Sequence, residues 1–201
     1  MEANDRFTYL GSDVVSSGYC TPEILRRIGL ASSVMSQLDR VWRQSRLSNI
    51  TKFRIYSSCV LSVLLYASET WTLFKDSVVK LQGFQVINQR RILGIHRYDF
   101  VRNEESARLS IIDTISQRRH ALFGHVRRMD QAAPAHQALH ISVTTRQGLG
   151  QLGTWRRPRG RPRRCWVEQI TTDTGLSLPN AWSAATDRSA WRAKRPTVGQ
   201  A

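Results

Sequence analysis

The chain has few of the residues that build disulfide scaffolds, zinc fingers or membrane spans. Its three cysteines, Cys20, Cys59 and Cys165, lie far apart with no CxxC spacing, which argues against a disulfide framework and a zinc finger. The longest apolar stretch, around residues 60–66, is much too short to span a bilayer. No basic segment followed by an apolar one opens the sequence. We therefore expect an intracellular protein, in the nucleus or in a cytoplasmic ribonucleoprotein, without a membrane partner.

Acidic residues are scarce, and their arrangement does not suit phosphoryl chemistry. Two-metal catalysis needs carboxylates that converge on a pair of Mg²⁺ ions, but the sequence has no Asp-Asp pair and its only adjacent acids are Glu104-Glu105. These two glutamates are better explained as stabilising the start of a helix. No GxSxG motif offers a nucleophile either. We expect no catalytic residue, no metal ion, no cofactor and no small-molecule substrate.

Arginine is what the chain has in excess. The 30 basic residues outnumber the 15 acidic ones and give a formal charge of +15, and only four of the 30 are lysines. Residues 1–114 hold 15 basic and 11 acidic residues (net +4), whereas residues 115–201 hold 15 and 4 (net +11). Codon bias would explain arginine over lysine but not this clustering. Such a charge predicts a nucleic-acid partner, because arginine makes forked contacts with phosphate.

The densest basic segment places six arginines within residues 156–164. Its centre, Pro158-Arg159-Gly160-Arg161-Pro162, is similar to the core of an AT-hook, in which an extended Arg-Gly-Arg-Pro lies in the narrow minor groove of A·T tracts. The alternative is an unstructured basic linker or nuclear-localisation patch that binds phosphate without sequence preference. Both interpretations give the same candidate nucleic-acid-binding residues: Arg156, Arg157, Arg159, Gly160, Arg161, Arg163 and Arg164.

Apolar periodicity predicts a mainly α protein, with a helical bundle preceded by a short β-hairpin and followed by a largely irregular basic tail. Residues 1–20 form the hairpin region, residues 21–130 the helices, and residues 131–201 a mostly flexible extension. The first helix should run from Thr21 to about Ser45, since apolar residues recur there at intervals of three and four. A second, strongly apolar helix begins near Asn49, and a helical pair occupies residues 102–129. A third helix ends at Gly94 and has apolar residues at Val79, Leu81, Phe84, Ile87 and Ile92.

Histidines offer one further candidate site. His136 and His140 are spaced four residues apart and could share a zinc ion with Cys165. His120 and His125 are five apart, which is too far round a helix to share one face neatly. We favour the simpler interpretation that all four are surface histidines.

Eight short motifs follow one another between residues 7 and 192. They are FTYLGSDV from Phe7, EILRRIGLASSVMSQL from Glu23, LSNITKFRIY from Leu47, LLYASETWTL from Leu64, QRRILGI from Gln89, GHVRRM from Gly124, GRPRRCW from Gly160 and DRSAWR from Asp187. In this order and spacing they resemble the region that follows the polymerase core in endonuclease/reverse transcriptases of non-LTR retrotransposons (LINEs). Each motif is weak alone, but the order is specific.

The resemblance implies roles by position. FTYLGS is similar to the primer-grip hairpin at the end of the polymerase palm, with Tyr9, Leu10 and Gly11 matching the pattern. The helices from residue 21 to about residue 73 resemble the thumb, which packs against the template and primer duplex. The GHVRRM helix, with Arg127 and Arg128, and the GRP segment resemble an extension associated with element RNA or target DNA. The chain has none of the family's catalytic aspartates.

A thumb without its palm should show a particular pattern of burial. Six residues are expected in a helical core: Trp42, Phe53, Tyr56, Leu64, Leu65 and Trp71. The face that would meet the palm, including Phe7, Tyr9 and Leu10, should be exposed.

The sequence departs from the family pattern at two places. Ala67 stands where LLYGSETW commonly has glycine, and Cys165 stands where a second basic residue often precedes tryptophan. Three interpretations stay open. The chain is a non-catalytic reverse transcriptase fragment, a domesticated stand-alone nucleic-acid-binding protein, or a non-functional transposon relic.

Overall fold

The structure is a computed structural model that describes residues 6–15, 19–96, 98–99, 110–148 and 164–195. It confirms the predicted fold class, because the described residues are mainly helical and include one short antiparallel hairpin. The chain divides into two units, Met1–Ile112 (unit 1) and Asp113–Ala201 (unit 2). In the part of the chain that the structure describes, no helix has the length and apolarity needed to cross a membrane.

Unit 1 opens with the hairpin, formed by β1 (Arg6–Tyr9) and β2 (Ser12–Val15). The strands pair with Tyr9 opposite Ser12, which leaves two residues for the turn. Both have positive φ, 48° at Leu10 and 75° at Gly11, as a type I′ turn requires. Glycine adopts this conformation freely, but a leucine in it is strained.

The helices of unit 1 follow closely on one another. They are α1 (Thr21–Gln37), α2 (Asp39–Trp42), α3 (Asn49–Ile55), a π-helical turn (Tyr56–Leu61), α4 (Ser62–Leu64), a 3₁₀ turn (Ser68–Thr70) and α5 (Lys75–Leu93). The first helix is shorter than predicted because Leu38, with φ −90° and ψ 13°, interrupts it. This break turns the chain so that the Trp42 indole donates to the Met35 carbonyl (3.0 Å).

The predicted burial pattern of unit 1 is confirmed. The side chains expected in the core are all buried: Trp42, Phe53, Tyr56, Leu64, Leu65 and Trp71. Phe7, Tyr9 and Leu10 at the hairpin are 61%, 61% and 74% exposed. The hairpin therefore presents an apolar surface to solvent while the helices behind it form a closed core.

The buried face of α5 is more polar than the sequence suggested. Leu81, Phe84 and Ile92 are buried as predicted. Ile87, which the apolar pattern included, is 68% exposed, because six residues from Leu81 place it on another side of the helix. Gln85 takes a place in the buried face, where its side-chain carbonyl accepts from the Ile111 amide (2.9 Å).

Unit 2 contains more helix than the predicted irregular tail. After α6 (Ile111–Arg127), which begins at the end of unit 1, come α7 (Pro134–Arg146), α8 (Trp166–Thr174), α9 (Leu178–Ala184) and α10 (Arg188–Ala193). The prediction of a mostly irregular extension was wrong for these residues, because short helices carry too few turns to show a clear apolar periodicity. Pro134 and Pro179 lie in the first turns of their helices, where a missing amide hydrogen costs nothing.

The core of unit 2 corrects the prediction that the histidines lie on the surface. His120 is 3% exposed and stacks on Trp191, with ring centroids 4.1 Å apart and planes 1° from parallel. The Trp191 indole also donates to the His120 backbone carbonyl (2.9 Å). His136 is buried as well, whereas His125 and His140 are exposed. Ring stacking on tryptophan explains why an imidazole can occupy the core.

Ala67 occupies a backbone conformation that favours glycine. It lies immediately before the 3₁₀ turn, with φ 57° and ψ 16°, in the left-handed region that is costly for a residue with a Cβ. This is the position at which the resemblance leads us to expect glycine. The local geometry of LLYASETW is therefore the one that a glycine would adopt without strain.

Ala67→Gly should raise the free energy of unfolding by about 1 kcal/mol, because it relieves the left-handed strain. Gly94→Ala is the matched control, since Gly94 ends α5 with φ 68° and a Cβ there would meet nothing within 4 Å. That substitution should destabilise by a similar amount through the backbone alone. Urea unfolding followed by circular dichroism measures both, and a lower midpoint for Ala67→Gly would contradict the assignment.

His120 should make the stability of unit 2 sensitive to acid. Burial, together with a smaller effect of the nearby charge of Arg195, lowers the pKa of His120 to about 4. An unfolded histidine takes up its proton near pH 6.5. Stability is therefore full above pH 6.5 and is lost as the pH falls toward 4, by about 3 kcal/mol in total.

His120→Phe keeps an aromatic ring against Trp191 but removes the titrating group. Urea midpoints between pH 7 and pH 4.5 should fall less steeply for this variant than for the unmodified chain. His125→Gln, at an exposed position of the same helix, should leave the pH dependence unchanged. Equal slopes for His120→Phe and the unmodified chain would show that His120 is not the group responsible.

Candidate nucleic-acid interface

The hairpin of unit 1 is fastened to α1 by a buried carboxylate. Glu23 is 2% exposed and accepts hydrogen bonds from Arg26 Nε (2.8 Å) and Arg27 Nε (2.7 Å). It also accepts from the backbone amide of Asp13 in β2 (3.2 Å). Asp13 in turn lies 3.2 Å from Arg26 Nε and accepts from the Thr8 hydroxyl (2.7 Å). Both strands are thereby connected to the first turns of α1.

The turn itself is held by its carbonyl groups. The Gly11 carbonyl accepts from Arg26 Nη2 (2.6 Å) and from Arg27 Nη2. The Leu10 carbonyl accepts from the Tyr66 hydroxyl (2.6 Å), and the Arg27 guanidinium lies over the Tyr66 ring, 4.4 Å from its centroid. Because these side chains bind the backbone carbonyls on one side of the turn, the apolar side chain of Leu10 is directed to solvent on the other.

Electrostatics keep Glu23 ionised in this setting. Burial raises the pKa of its carboxyl group, but the hydrogen bonds from Arg26 and Arg27 outweigh it, and the pKa is lowered overall. A buried carboxylate is stable only with such partners. The network therefore depends on Glu23, because its loss would leave the Arg26 and Arg27 guanidinium groups without their shared carboxylate partner.

Three of the sequence motifs meet at this network. FTYLGSDV contributes the turn, EILRRIGL contributes Glu23 and both arginines, and LLYASETW contributes Tyr66. Sequence reasoning proposed Tyr9, Leu10 and Gly11 as site residues but missed the residues that hold the turn. Glu23 lies three residues before Arg26 and four before Arg27, and this spacing could have predicted the two ion pairs on α1.

A basic cleft of about 770 Å³ lies elsewhere in unit 1, between α2, the start of α3 and the end of α5. Its charged lining residues are Asp39, Arg43, Lys52, Arg90 and Arg91. The Asp39 carboxylate lies 2.6 Å from both Arg43 and Arg91, and the hydrogen bond from Arg91 is the main cause of its lowered pKa. Four cations against one carboxylate leave the cleft suited to an anion.

In unit 2, the structure places Arg127 and Arg128 against the end of α9. Arg127 Nε donates to the Trp182 carbonyl (3.3 Å), and Arg128 Nη1 donates to the Ala185 carbonyl (2.9 Å). The last carbonyls of a helix have no partner within it and attract cations. Each arginine thus uses part of its hydrogen-bonding capacity for folding, and a guanidinium has further N–H donors for an outside anion.

The GHVRRM and DRSAWR motifs also contact one another. Gly124 is buried against Trp191, and a Cβ added at Gly124 would lie 2.3 Å from the indole. No other residue fits this position, which explains the glycine that opens the motif. Phe123 packs on the same indole, with ring centroids 5.3 Å apart.

The Arg-rich segment falls largely outside the described residues. This applies to the predicted binding residues Arg156, Arg157, Arg159, Gly160, Arg161 and Arg163. Arg164 is described, is exposed, and stands just before the amino-terminal cap of α8. Among the described residues, no three His, Cys, Asp or Glu side chains lie close enough to share a metal ion. His136, His140 and Cys165 are therefore not brought together as a zinc site.

Comparison with known proteins shows that the chain is similar to a transposon-derived protein. It is 26% identical over 196 residues to an uncharacterized transposon-derived protein of Caenorhabditis elegans, and the alignment covers 94% of this chain and 69% of the relative. No protein-family profile matches the chain, and no solved structure matches it significantly.

Glu23→Gln should release the hairpin, because a neutral amide cannot pair with both guanidinium groups. We expect a loss of about 3 kcal/mol in unfolding free energy and faster hydrogen exchange at the turn amides of Leu10 and Gly11. Asp39→Asn is the matched control, since Asp39 pairs with Arg43 and Arg91 at the surface, where such pairs contribute under about 1 kcal/mol. Equal effects of the two substitutions would contradict the role given to Glu23.

Proposed function

We propose that the chain is the nucleic-acid-binding region of a non-LTR retrotransposon reverse transcriptase, a region that does not itself polymerise. In this proposal the helices of unit 1 act as the thumb, and the hairpin at Tyr9, Leu10 and Gly11 acts as the primer grip. The Arg-rich segment, Arg127 and Arg128 contact element RNA or target DNA. The chain needs no cofactor and no small-molecule substrate.

The observation that carries the proposal is the hairpin with its exposed apolar tip. A turn bound through its backbone by Arg26, Arg27 and Tyr66 suits a role in positioning a partner that approaches Leu10. The order of the eight motifs, the basic cleft at Arg90 and Arg91 and the transposon-derived relative support the same interpretation. The net charge of +15 favours a polyanionic partner.

A second candidate function rests on the Pro158–Pro162 sequence, which is similar to an AT-hook core. In that case the chain would be a domesticated DNA-binding protein with a preference for narrow A·T minor grooves. A non-functional transposon relic is the remaining alternative, and it would bind neither RNA nor DNA with useful affinity.

Binding to duplex DNA should depend on the Arg-rich segment. If about five phosphates are neutralised there, a plot of log affinity against log salt concentration should have a slope of about −4 to −5. Replacing Arg157, Arg159, Arg161 and Arg163 by alanine should remove most of that slope on all sequences alike, because phosphate contacts carry no base information. Fluorescence anisotropy titrations at several salt concentrations measure it.

The matched control for this experiment removes four exposed charges elsewhere, at Arg188, Arg192, Lys194 and Arg195, and should change the slope much less. Gly160→Ala tests the second candidate function, since it should reduce only a preference for A·T-rich over G·C-rich duplexes. An unchanged slope in the first variant would show that the binding site lies in another part of the chain.

Primer extension tests the absence of catalysis. The purified chain with a homopolymer template, a primer and Mg²⁺ should incorporate no nucleotide, since the sequence has no Asp-Asp pair to hold the metal ions. A chelator, EDTA, serves as the control for metal dependence. Clear synthesis that EDTA abolishes would contradict the proposed function.

A further inference from the structure

Unit 2 contains an aromatic and basic cleft that the motifs did not reveal. It has a volume of about 410 Å³ and is lined by the end of α6, the following loop, α7 and α9, a size at which small-molecule sites occur. The residues on which the argument depends are Arg127, Gln131, His136, Gln137, His140 and Trp182. We call this cleft the Trp182 pocket.

Trp182 is contacted by one guanidinium group and two imidazole rings, the latter tilted by 63° and 46° to the indole. The Arg127 guanidinium lies over its indole, 4.3 Å from the ring centroid. The imidazoles of His136 and His140 lie with their centroids 5.6 and 5.5 Å from it. Flat groups that already pack face and edge on an indole provide further planes on which another flat group can stack.

One side of this set is fixed and the other is accessible. His136 is 6% exposed, and its Nδ1 lies 3.2 Å from the Val126 carbonyl, within hydrogen-bond distance. Arg127 is anchored by the Trp182 carbonyl (3.3 Å). His140, one turn of α7 further on, is exposed, as are Gln131 and Gln137. The pocket is therefore preorganised at its floor, while polar side chains at its rim are available to a ligand.

The chemistry of the lining selects a class of ligand. None of the lining residues is a carboxylate, and Arg127 supplies a permanent positive charge, which favours an anion. The Gln131 and Gln137 amides each have donors and an acceptor, as the edge of a nucleobase requires. One Gln137 N–H donates to the Ala132 carbonyl (3.4 Å), which leaves its second N–H and its oxygen for a ligand. Stacking planes, amide groups and one cation together match a nucleotide better than an aliphatic or cationic ligand.

We propose that the Trp182 pocket binds an unstacked base of single-stranded RNA or DNA, an inference that rests on the proposed nucleic-acid-binding function. His140 and the Arg127 guanidinium provide the stacking planes, Gln137 contacts the edge of the base, and Arg127 faces the adjoining phosphate. The pocket thus adds base-dependent binding to the base-independent attraction of the Arg-rich segment.

The test compares a 12-nucleotide single-stranded DNA with an abasic oligonucleotide of the same length and phosphate count. The unmodified chain should bind the base-containing strand about tenfold more tightly, since stacking contributes that much per base. His140→Ala with Gln137→Ala should abolish this preference and leave binding to the abasic strand unchanged. His125→Ala with Gln147→Ala removes the same residue types outside the pocket and should preserve the preference.

A direct measurement follows the indole N–H resonance of Trp182 by NMR. Adenosine 5′-monophosphate should shift this resonance in the unmodified chain, whereas ribose 5-phosphate, which lacks the base, should not. A retained preference in the His140 and Gln137 variant, or an unmoved Trp182 resonance, would overturn the pocket while leaving phosphate binding intact. Failure of the unmodified chain to bind either oligonucleotide would overturn the proposed function, and this inference with it.

Discussion

The pairing of one buried carboxylate with two guanidinium groups determines where the hairpin of unit 1 lies. Glu23 cannot be ionised in the interior without Arg26 and Arg27, and the same arginines reach the Gly11 carbonyl at the turn. The backbone of the turn is thus one of the partners that complete the charge network. A hairpin of four-residue strands has little stability alone, so its position on α1 depends on these polar contacts rather than on its own packing.

Unit 2 is stabilised by a different kind of contact. Its last three helices have only six to nine residues each. Helices this short are not stable in isolation. They are held by aromatic packing around Phe123, which contacts Trp166, Trp182 and Trp191 with ring centroids 5.3 to 6.3 Å apart. The absence of a side chain at Gly124 lets the Trp191 indole approach α6 closely. Aromatic contacts thus hold the short helices of unit 2 in place, as the charge network holds the hairpin of unit 1 in place.

Sequence periodicity was informative where a long helix buries an apolar stripe, as with Ile24, Ala31 and Met35 in α1, and where a turn needs glycine, as at Gly94. It failed where burial depends on partners distant in the chain. His120 gives no local sign of the tryptophan 71 residues later on which it stacks, and Gln85 gives no sign of the Ile111 amide that it binds. The hairpin residues of the candidate site were proposed through a resemblance, but the Tyr66 hydroxyl that binds the Leu10 carbonyl could be recognised only from three-dimensional contacts.

The hairpin also has a topological consequence. Its sheet has two strands among the described residues, so β1 and β2 each have an outer edge whose backbone N–H and C=O groups do not pair within that sheet. Phe7 and Tyr9 lie on one face of β1 with their rings 6.4 Å apart and nearly parallel. An extended segment of another polypeptide could pair with the outer edge of β1 as a third strand. The register of β1 would then set the hydrogen bonds, and side chains of the added strand would cover the Phe7 and Tyr9 rings.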